Sequence, residues 1–309
     1  MWIKKGLVFD VNKFLSPKIG SHASIPYCMY LNDDNFRIYF SSRSLDGKSY
    51  PYYIDAIIKN GKIKLKGKVV GPLLELGELG TFDDSGIMPS SIVKTNDKIY
   101  MYYIGWNPQV SVSYRLSIGL AISTDGGLTF KKAFEGPICD RTKEEPYFNT
   151  APFVLKEGPC WKMWYISCTE WNNINEYPEP SYHVKYAESQ DGINWIKEGI
   201  ICIDYDIKAK AIGRPCVIKI KDQYNMYFSY RDTVDYRTVK GKGYQIGNAS
   251  SVNGIDWKRN YEIDGLNLSD KGWDNMMMEY CHVFHHNGIQ YMIYNGNNFG
   301  KDGFGYATK

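Results

Sequence analysis

The sequence predicts an all-β fold: a β-propeller of five blades, each of four antiparallel strands. Two repeats and the composition predict it. Pro26, Pro89, Pro152 and Pro215 recur every 63 residues, each in a short apolar run that leads through a polar turn into a tyrosine-rich run. A second set of turns, Asn60-Gly61, Asp125-Gly126, Asp191-Gly192 and Asn253-Gly254, recurs at intervals of 62 to 66 residues. The 309 residues include 26 Tyr and 29 Gly, a balance that favours strands and tight turns over helices.

The first repeat gives the two inner strands of each blade. Its segments are SIPYCMYLNDDNFRIYF, IMPSSIVKTNDKIYMYY, TAPFVLKEGPCWKMWY, GRPCVIKIKDQYNMYF and MEYCHVFHHNGIQYMIY. Each turns at a polar pair: Asn32-Asp33, Asn96-Asp97, Glu157-Gly158, Lys221-Asp222 and Asn287-Gly288. That pattern is a β-hairpin signature. The second set of turns gives the two outer strands, because Asn-Gly and Asp-Gly tolerate the positive φ of a type I′ turn. In the fifth repeat GFGYATK supplies a third strand, and the spacing puts the next outer turn beyond Lys309. The opening MWIKKGL matches NWIKEGI of the third repeat, residues 194–200. The N-terminal strand is therefore expected to complete the last blade, closing the ring and covering an exposed sheet edge. No linker or change of composition interrupts the repeats, so residues 1–309 read as one domain.

Charge and cysteines bound the function. A net charge of +3, from 37 basic and 34 acidic residues mixed along the chain, leaves no footprint for nucleic acid and no basic run for a membrane surface. No apolar stretch has the length of a membrane span or a signal peptide. Seven scattered cysteines without C-x-x-C suggest reduced thiols and a cytoplasmic location. His285-His286 lies in an inner turn on the far face and is a weak metal candidate; no cofactor is expected and no metal site is assigned, although a carboxylate-lined channel leaves a bound calcium open. P-loop, GxSxG, GxGxxG and HExxH motifs are all missing.

Strand direction places the starts of the first strands and the ends of the second strands around one channel mouth. That mouth gathers His22, Asp83, Asp84, Glu145, Arg214 and Glu279 from the starts. From the ends it gathers Arg43, Trp106, Arg231 and Asn295. The loops NPQVSVSYR, NNINEYPEPSYH and TVDYRTVKGKG stand on the same side, and long loops on one face favour function. Carboxylate pairs suit glycosidic cleavage, aromatic faces stack on sugars, and arginine forks recognise carboxylate or phosphate.

With these residues the chain resembles the five-bladed propeller glycoside hydrolases of families 32, 43, 62 and 68. The 63-residue repeat and the S-x-D-G-x-x-W turn, Ser189 to Trp195, carry the resemblance over the whole chain. GTFDDSG, KYAESQDGINW, RPCVI, MMMEYCHVF and YNGN look like an uncharacterised branch that accompanies bacterial surface-polysaccharide synthesis. The resemblance implies a catalytic Asp at the start of the first inner strand. Here that place reads Ser21-His22-Ala23-Ser24. The expected catalytic residues are then Glu279 as general acid and Asp84 as base, with Asp83 or Glu145 as substitutes. His22, Arg43, Trp106, Arg214, Arg231 and Asn295 are expected to bind an anionic or nucleotide-linked sugar. A related group, the propeller phosphorylases, uses one carboxylate and a basic phosphate pocket, which leaves phosphorolysis open. The missing Asp also leaves open a carbohydrate-binding propeller without catalysis.

Overall fold

The computed structural model describes residues 1–309 as five four-stranded antiparallel units. An N-terminal strand, β1 (Ile3–Asp10), precedes them. The first unit holds β2 (Ser21–Asn32), β3 (Asn35–Arg43), β4 (Ser49–Lys59) and β5 (Lys62–Val70). The second holds β6 (Gly86–Lys94), β7 (Ile99–Pro108), β8 (Tyr114–Ser123) and β9 (Lys131–Lys132). The third holds β10 (Asn149–Glu157), β11 (Cys160–Ile174), β12 (Tyr177–Ser189) and β13 (Ile201–Ile203). The fourth holds β14 (Ala211–Ile220), β15 (Gln223–Arg231), β16 (Gln245–Ser251) and β17 (Lys258–Asn260). The fifth has β18 (Glu279–His286), β19 (Ile289–Asn295) and β20 (Gly303–Thr308), and β1 lies antiparallel on β20, Ile3 opposite Thr308 and Asp10 opposite Gly303.

First strands pack on first strands: β2 on β6, β6 on β10, β10 on β14, β14 on β18 and β18 on β2. The apolar side chains between them form the largest core cluster, from Ile25 and Ile87 through Phe153 and Val217 to Val283. The first strands are buried on both faces along most of their length, packed between the units on either side.

The outer turns differ from the expected geometry. At Asn60-Gly61 both residues take positive φ, 51° and 74°, as a type I′ turn requires. The other three are side-chain cages. Ser123 Oγ accepts from Gly127 N–H, Ser189 Oγ from Gly192 N–H and Ser251 Oγ from Gly254 N–H, each at 2.9 Å. Asp125, Asp191 and Asn253 then accept backbone N–H groups from the residues that follow, the local bonding for which Asx residues are favoured in turns. Each cage is also clipped to the unit before it. Tyr39 donates to Gly127 O, Tyr102 to Gly192 O and Trp164 to Gly254 O.

The aromatic residue after each cage explains the repeated phrase. Phe130 meets Tyr39 edge-on at 5.8 Å between ring centroids, Trp195 meets Tyr102 at 6.0 Å, and Trp257 meets Trp164 at 6.2 Å. Trp2 meets Tyr227 in the same way at 6.0 Å. The N-terminal segment thus supplies to the fifth unit the aromatic contact that NWIKEGI supplies to the third.

Candidate functional site

The phrase also carries a base two residues after its aromatic: Lys132, Lys197, Arg259 and Lys4. Each pairs with an acid on the segment entering its unit. Lys132 lies 2.7 Å from Asp83, Lys197 2.6 Å from Glu145, Arg259 3.2 Å from Asp206 and Lys4 2.5 Å from Asp274. In three units a tyrosine 20 residues after the acid also donates to it: Tyr103 to Asp83, Tyr165 to Glu145 and Tyr294 to Asp274, each at 3.0 Å. Lys185 adds a second contact to Glu145 at 3.0 Å. Burial works to raise the Glu145 carboxyl, but Lys197 and Lys185 outweigh it and hold it below the usual range.

These pairings correct the expectation for two residues. Asp83 and Glu145 are buried, neutralised members of a repeated structural lock, with no free carboxylate for substrate. Asp84 is corrected too. Its oxygens accept the Gly80 N–H at 2.9 Å and the Ser85 hydroxyl at 2.8 Å, so it holds a turn, and it does not line the central cavity.

That cavity, about 430 Å³, lies among the starts of the first strands and the ends of the second strands. All five first strands break register there, between Ser24 and Tyr27, Pro89 and Ser91, Thr150 and Phe153, Gly213 and Cys216, and Glu279 and His282. Bulges re-aim side chains, and here the repeated bulge turns one stretch of each unit towards the axis. Arg43, Trp106, Arg214 and Arg231 line the cavity together, joined by Arg237. Its 24 lining residues include no Asp or Glu.

The arginines differ in what holds them. Arg43 is solvent-exposed and has no acidic partner; partial desolvation at the cavity wall lowers its guanidinium below the usual range. Arg214, 1% exposed, donates to Tyr280 O and Cys281 O from the fifth unit, Pro26 O from the first and Ser90 O from the second. It ties its own unit, the fourth, to three others at the axis, and its Nε is left without a partner. Arg231, 2% exposed, lies over the Tyr236 ring at 3.9 Å and 3.8 Å from Glu179, and its Nε is also unpartnered. Glu179 holds Arg237 as well and accepts from the Tyr236 hydroxyl at 3.2 Å.

His22 and Asn295 do not line the cavity. Burial and the neighbouring Arg43 charge lower the His22 imidazole to about 4, so it is neutral at pH 7, and Ser21 Oγ lies 2.8 Å from its Nδ1. Asn295 is completely buried. Its side chain accepts from Ile25 N–H at 2.8 Å and donates to Ala23 O and Gly303 O. This clamps the fifth unit to the first and corrects the expectation of a sugar ligand.

Glu279, at the start of β18, is 0% exposed, and neither carboxyl oxygen has a well-formed hydrogen bond. Burial pushes this carboxyl well above its ordinary range. The Phe299 backbone, the Tyr280 hydroxyl and the Arg231 charge oppose the shift without cancelling it. Burial of an unpaired carboxyl disfavours its charged form, so the environment of Glu279 favours the protonated acid.

Sequence reasoning did not single out Glu179, Arg237, Tyr177, Tyr182, Tyr236, Tyr244 or Tyr280. All but Tyr280 lie on or beside the two long loops NNINEYPEPSYH and TVDYRTVKGKG, whose length was the available signal. No three His, Cys, Asp or Glu side chains come together as a metal site. No helix is long and apolar enough to cross a membrane.

No family model matches the chain. It is 33% identical over 312 residues to the uncharacterised Mycobacterium tuberculosis proteins MT1551 (strain CDC 1551 / Oshkosh) and Rv1502 (strain ATCC 25618 / H37Rv), covering 99% of this chain and 98% of each relative. Among solved structures it superposes on BT0996 in its RGII complex with a TM-score of 0.75 and 17% identity, covering 99% of this chain and 91% of that one. A thermostable family-43 glycoside hydrolase gives a TM-score of 0.67 and 18% identity, with 96% and 90% covered. These likenesses show a shared β-propeller fold.

Proposed function

We propose that this chain, which belongs to the family of the mycobacterial proteins MT1551 and Rv1502, is a glycosidase-like enzyme acting on an anionic or nucleotide-linked sugar in polysaccharide metabolism. The reading takes residues 1–309 as one domain, a five-bladed propeller closed by β1 on β20, in a reducing cytoplasm that suits seven unpaired cysteines.

One observation carries the substrate side. Four arginines face a cavity whose lining has no carboxylate, and two of their Nε groups are buried without partners. Glu179 offsets only part of this positive charge, and a ligand carboxylate or phosphate in the cavity would balance the rest. Arg43, Arg231 and Arg237 hold the anion in this reading, while Trp106 and the tyrosines offer faces for the sugar ring. Arg214 fixes the floor. Glu279, kept neutral by burial, is the proton donor to the departing oxygen. Elsewhere too, a raised carboxyl pKa marks the acid of glycosidic cleavage.

The lining has no carboxylate to activate water, and that favours a second reading, phosphorolysis, in which bound phosphate attacks the anomeric carbon. One experiment separates the outcomes: incubate the protein with glucuronides, phosphorylated oligosaccharides and nucleotide-sugars, with and without inorganic phosphate, and follow products by mass. Cleavage without phosphate supports hydrolysis or transfer, and a sugar phosphate formed only with phosphate supports phosphorolysis. Tight binding with no product across the panel contradicts the enzyme and leaves a carbohydrate-binding propeller.

A further inference from the structure

Glu279 is completely buried and does not line the cavity, whereas the next residue, Tyr280, does. Neighbouring strand residues normally point to opposite faces. Here the register breaks after Glu279, and Tyr280 takes a left-handed φ of 52°. The same bend occurs at Ile25, φ 56°, and Ala151, φ 46°, but only the fifth unit places a hydroxyl there. For a bulky side chain this backbone costs on the order of 1–3 kcal/mol and persists only where its surroundings impose it. Two contacts impose it. Ser229 Oγ accepts the Tyr280 N–H at 2.9 Å, and Arg214 donates to the Tyr280 carbonyl at 2.7 Å.

We propose that Tyr280 is a catalytic residue that carries the proton from the secluded Glu279 to the glycosidic oxygen. The proposal rests on the reading of Glu279 as the acid. In the step, the C–O bond to the leaving group breaks and its electron pair stays on the glycosidic oxygen. That oxygen takes the phenolic proton of Tyr280 as Tyr280 Oη takes the Glu279 proton. Glu279 ends as a carboxylate, and no phenolate is formed. The attacking water, phosphate or acceptor hydroxyl supplies the proton that restores Glu279. No hydrogen bond joins the Tyr280 hydroxyl to Glu279 in this structure; the register break after Glu279 and the cavity-facing position of Tyr280 place the phenol between the buried acid and the cavity. Catalytic hydrogen bonds often tighten only once substrate is bound.

The test compares wild type, Tyr280→Phe and Glu279→Gln on two aryl glucuronides, one with phenol and one with 2,4-dinitrophenol as leaving group. Dinitrophenolate departs without a proton. Both variants should lose ~10²–10⁴-fold on the phenyl substrate and stay within about tenfold of wild type on the dinitrophenyl one. Glucuronide affinity and melting temperature of Tyr280→Phe should match wild type, since Phe keeps the ring. An equal loss on both substrates would make Tyr280 merely structural and overturn the relay. Loss in Glu279→Gln alone overturns the relay and leaves the acid standing. If neither variant loses activity on the phenyl substrate, or wild type cleaves neither compound, the acid and its relay fall together.

Discussion

Lys4 Nζ lies 2.5 Å from the Asp274 carboxylate, in the relation that Lys197 has to Glu145 at 2.6 Å. One lysine comes from the start of the chain and the other from its middle, yet each follows a tryptophan seated edge-on against the preceding unit. The opening phrase repeats an internal one because both fill the same structural place.

Lys4→Met should therefore destabilise the fold far more than a surface change. Asp274, 2% exposed, would keep only the Tyr294 hydroxyl. Stranding a buried charge costs about 3 kcal/mol or more, and adding Asp274→Asn should recover part of the loss. Urea unfolding of the single and double variants measures this. An unchanged midpoint for Lys4→Met would show that the pair contributes nothing.

Deleting residues 1–9 removes the strand on β20, the Trp2–Tyr227 contact and the Lys4 pairing at once. The exposed edge of β20 should promote aggregation, with a loss of several kcal/mol from a stability that is marginal to begin with. A truncated protein that melts with the full chain would contradict closure by β1.

Glu279 also sets a pH dependence. Its folded carboxyl lies well above the usual range, so between the unfolded value, about 4.3, and the folded one the native state holds the extra proton. Stability must then fall as pH rises through that window. Glu279→Gln removes the group that titrates, and its melting temperature should gain on wild type steadily as pH rises from 4 to 8. Parallel curves would mean that Glu279 is already ionised at the low end.

Of the cavity guanidiniums, Arg231 and Arg237 pair with Glu179 and Arg214 is committed to backbone carbonyls, so Arg43 is the one free to meet a ligand charge. Arg43→Gln should weaken binding of a glucuronide or nucleotide-sugar by ten- to a hundredfold, about 1.5–3 kcal/mol for a charged hydrogen bond, and should flatten its salt dependence. Calorimetric titration at two ionic strengths reads both effects. Unchanged affinity would place the anion elsewhere.

The architecture was legible because turn chemistry repeats: Asn-Gly, Ser-x-Asp-Gly and the prolines mark every unit whatever its packing. The strand-order argument also brought Arg43, Trp106, Arg214 and Arg231 to one cavity. The acids were harder to read. Asp83 and Glu145 look like catalytic carboxylates until Lys132 and Lys197 are seen beside them, and those partners lie about 50 residues later, Lys132 on the outer strand β9 and Lys197 just before the outer strand β13. Asn295 likewise spends its side chain on backbone groups of the first and fifth units, contacts that no local pattern announces. Glu279 stood out because it follows Met276-Met277-Met278, an apolar approach in which a carboxylate is costly.

The most direct test of the central claim is turnover by Glu279→Gln on whichever anionic glycoside the wild type cleaves, with binding measured alongside. A neutral acid that donates its proton is worth ~10²–10⁴ in rate, and Gln keeps the shape while removing that proton. The account predicts turnover reduced by that factor with affinity unchanged. A variant that cleaves as fast as wild type would show that Glu279 is not the acid and that the chemistry of this cavity lies elsewhere.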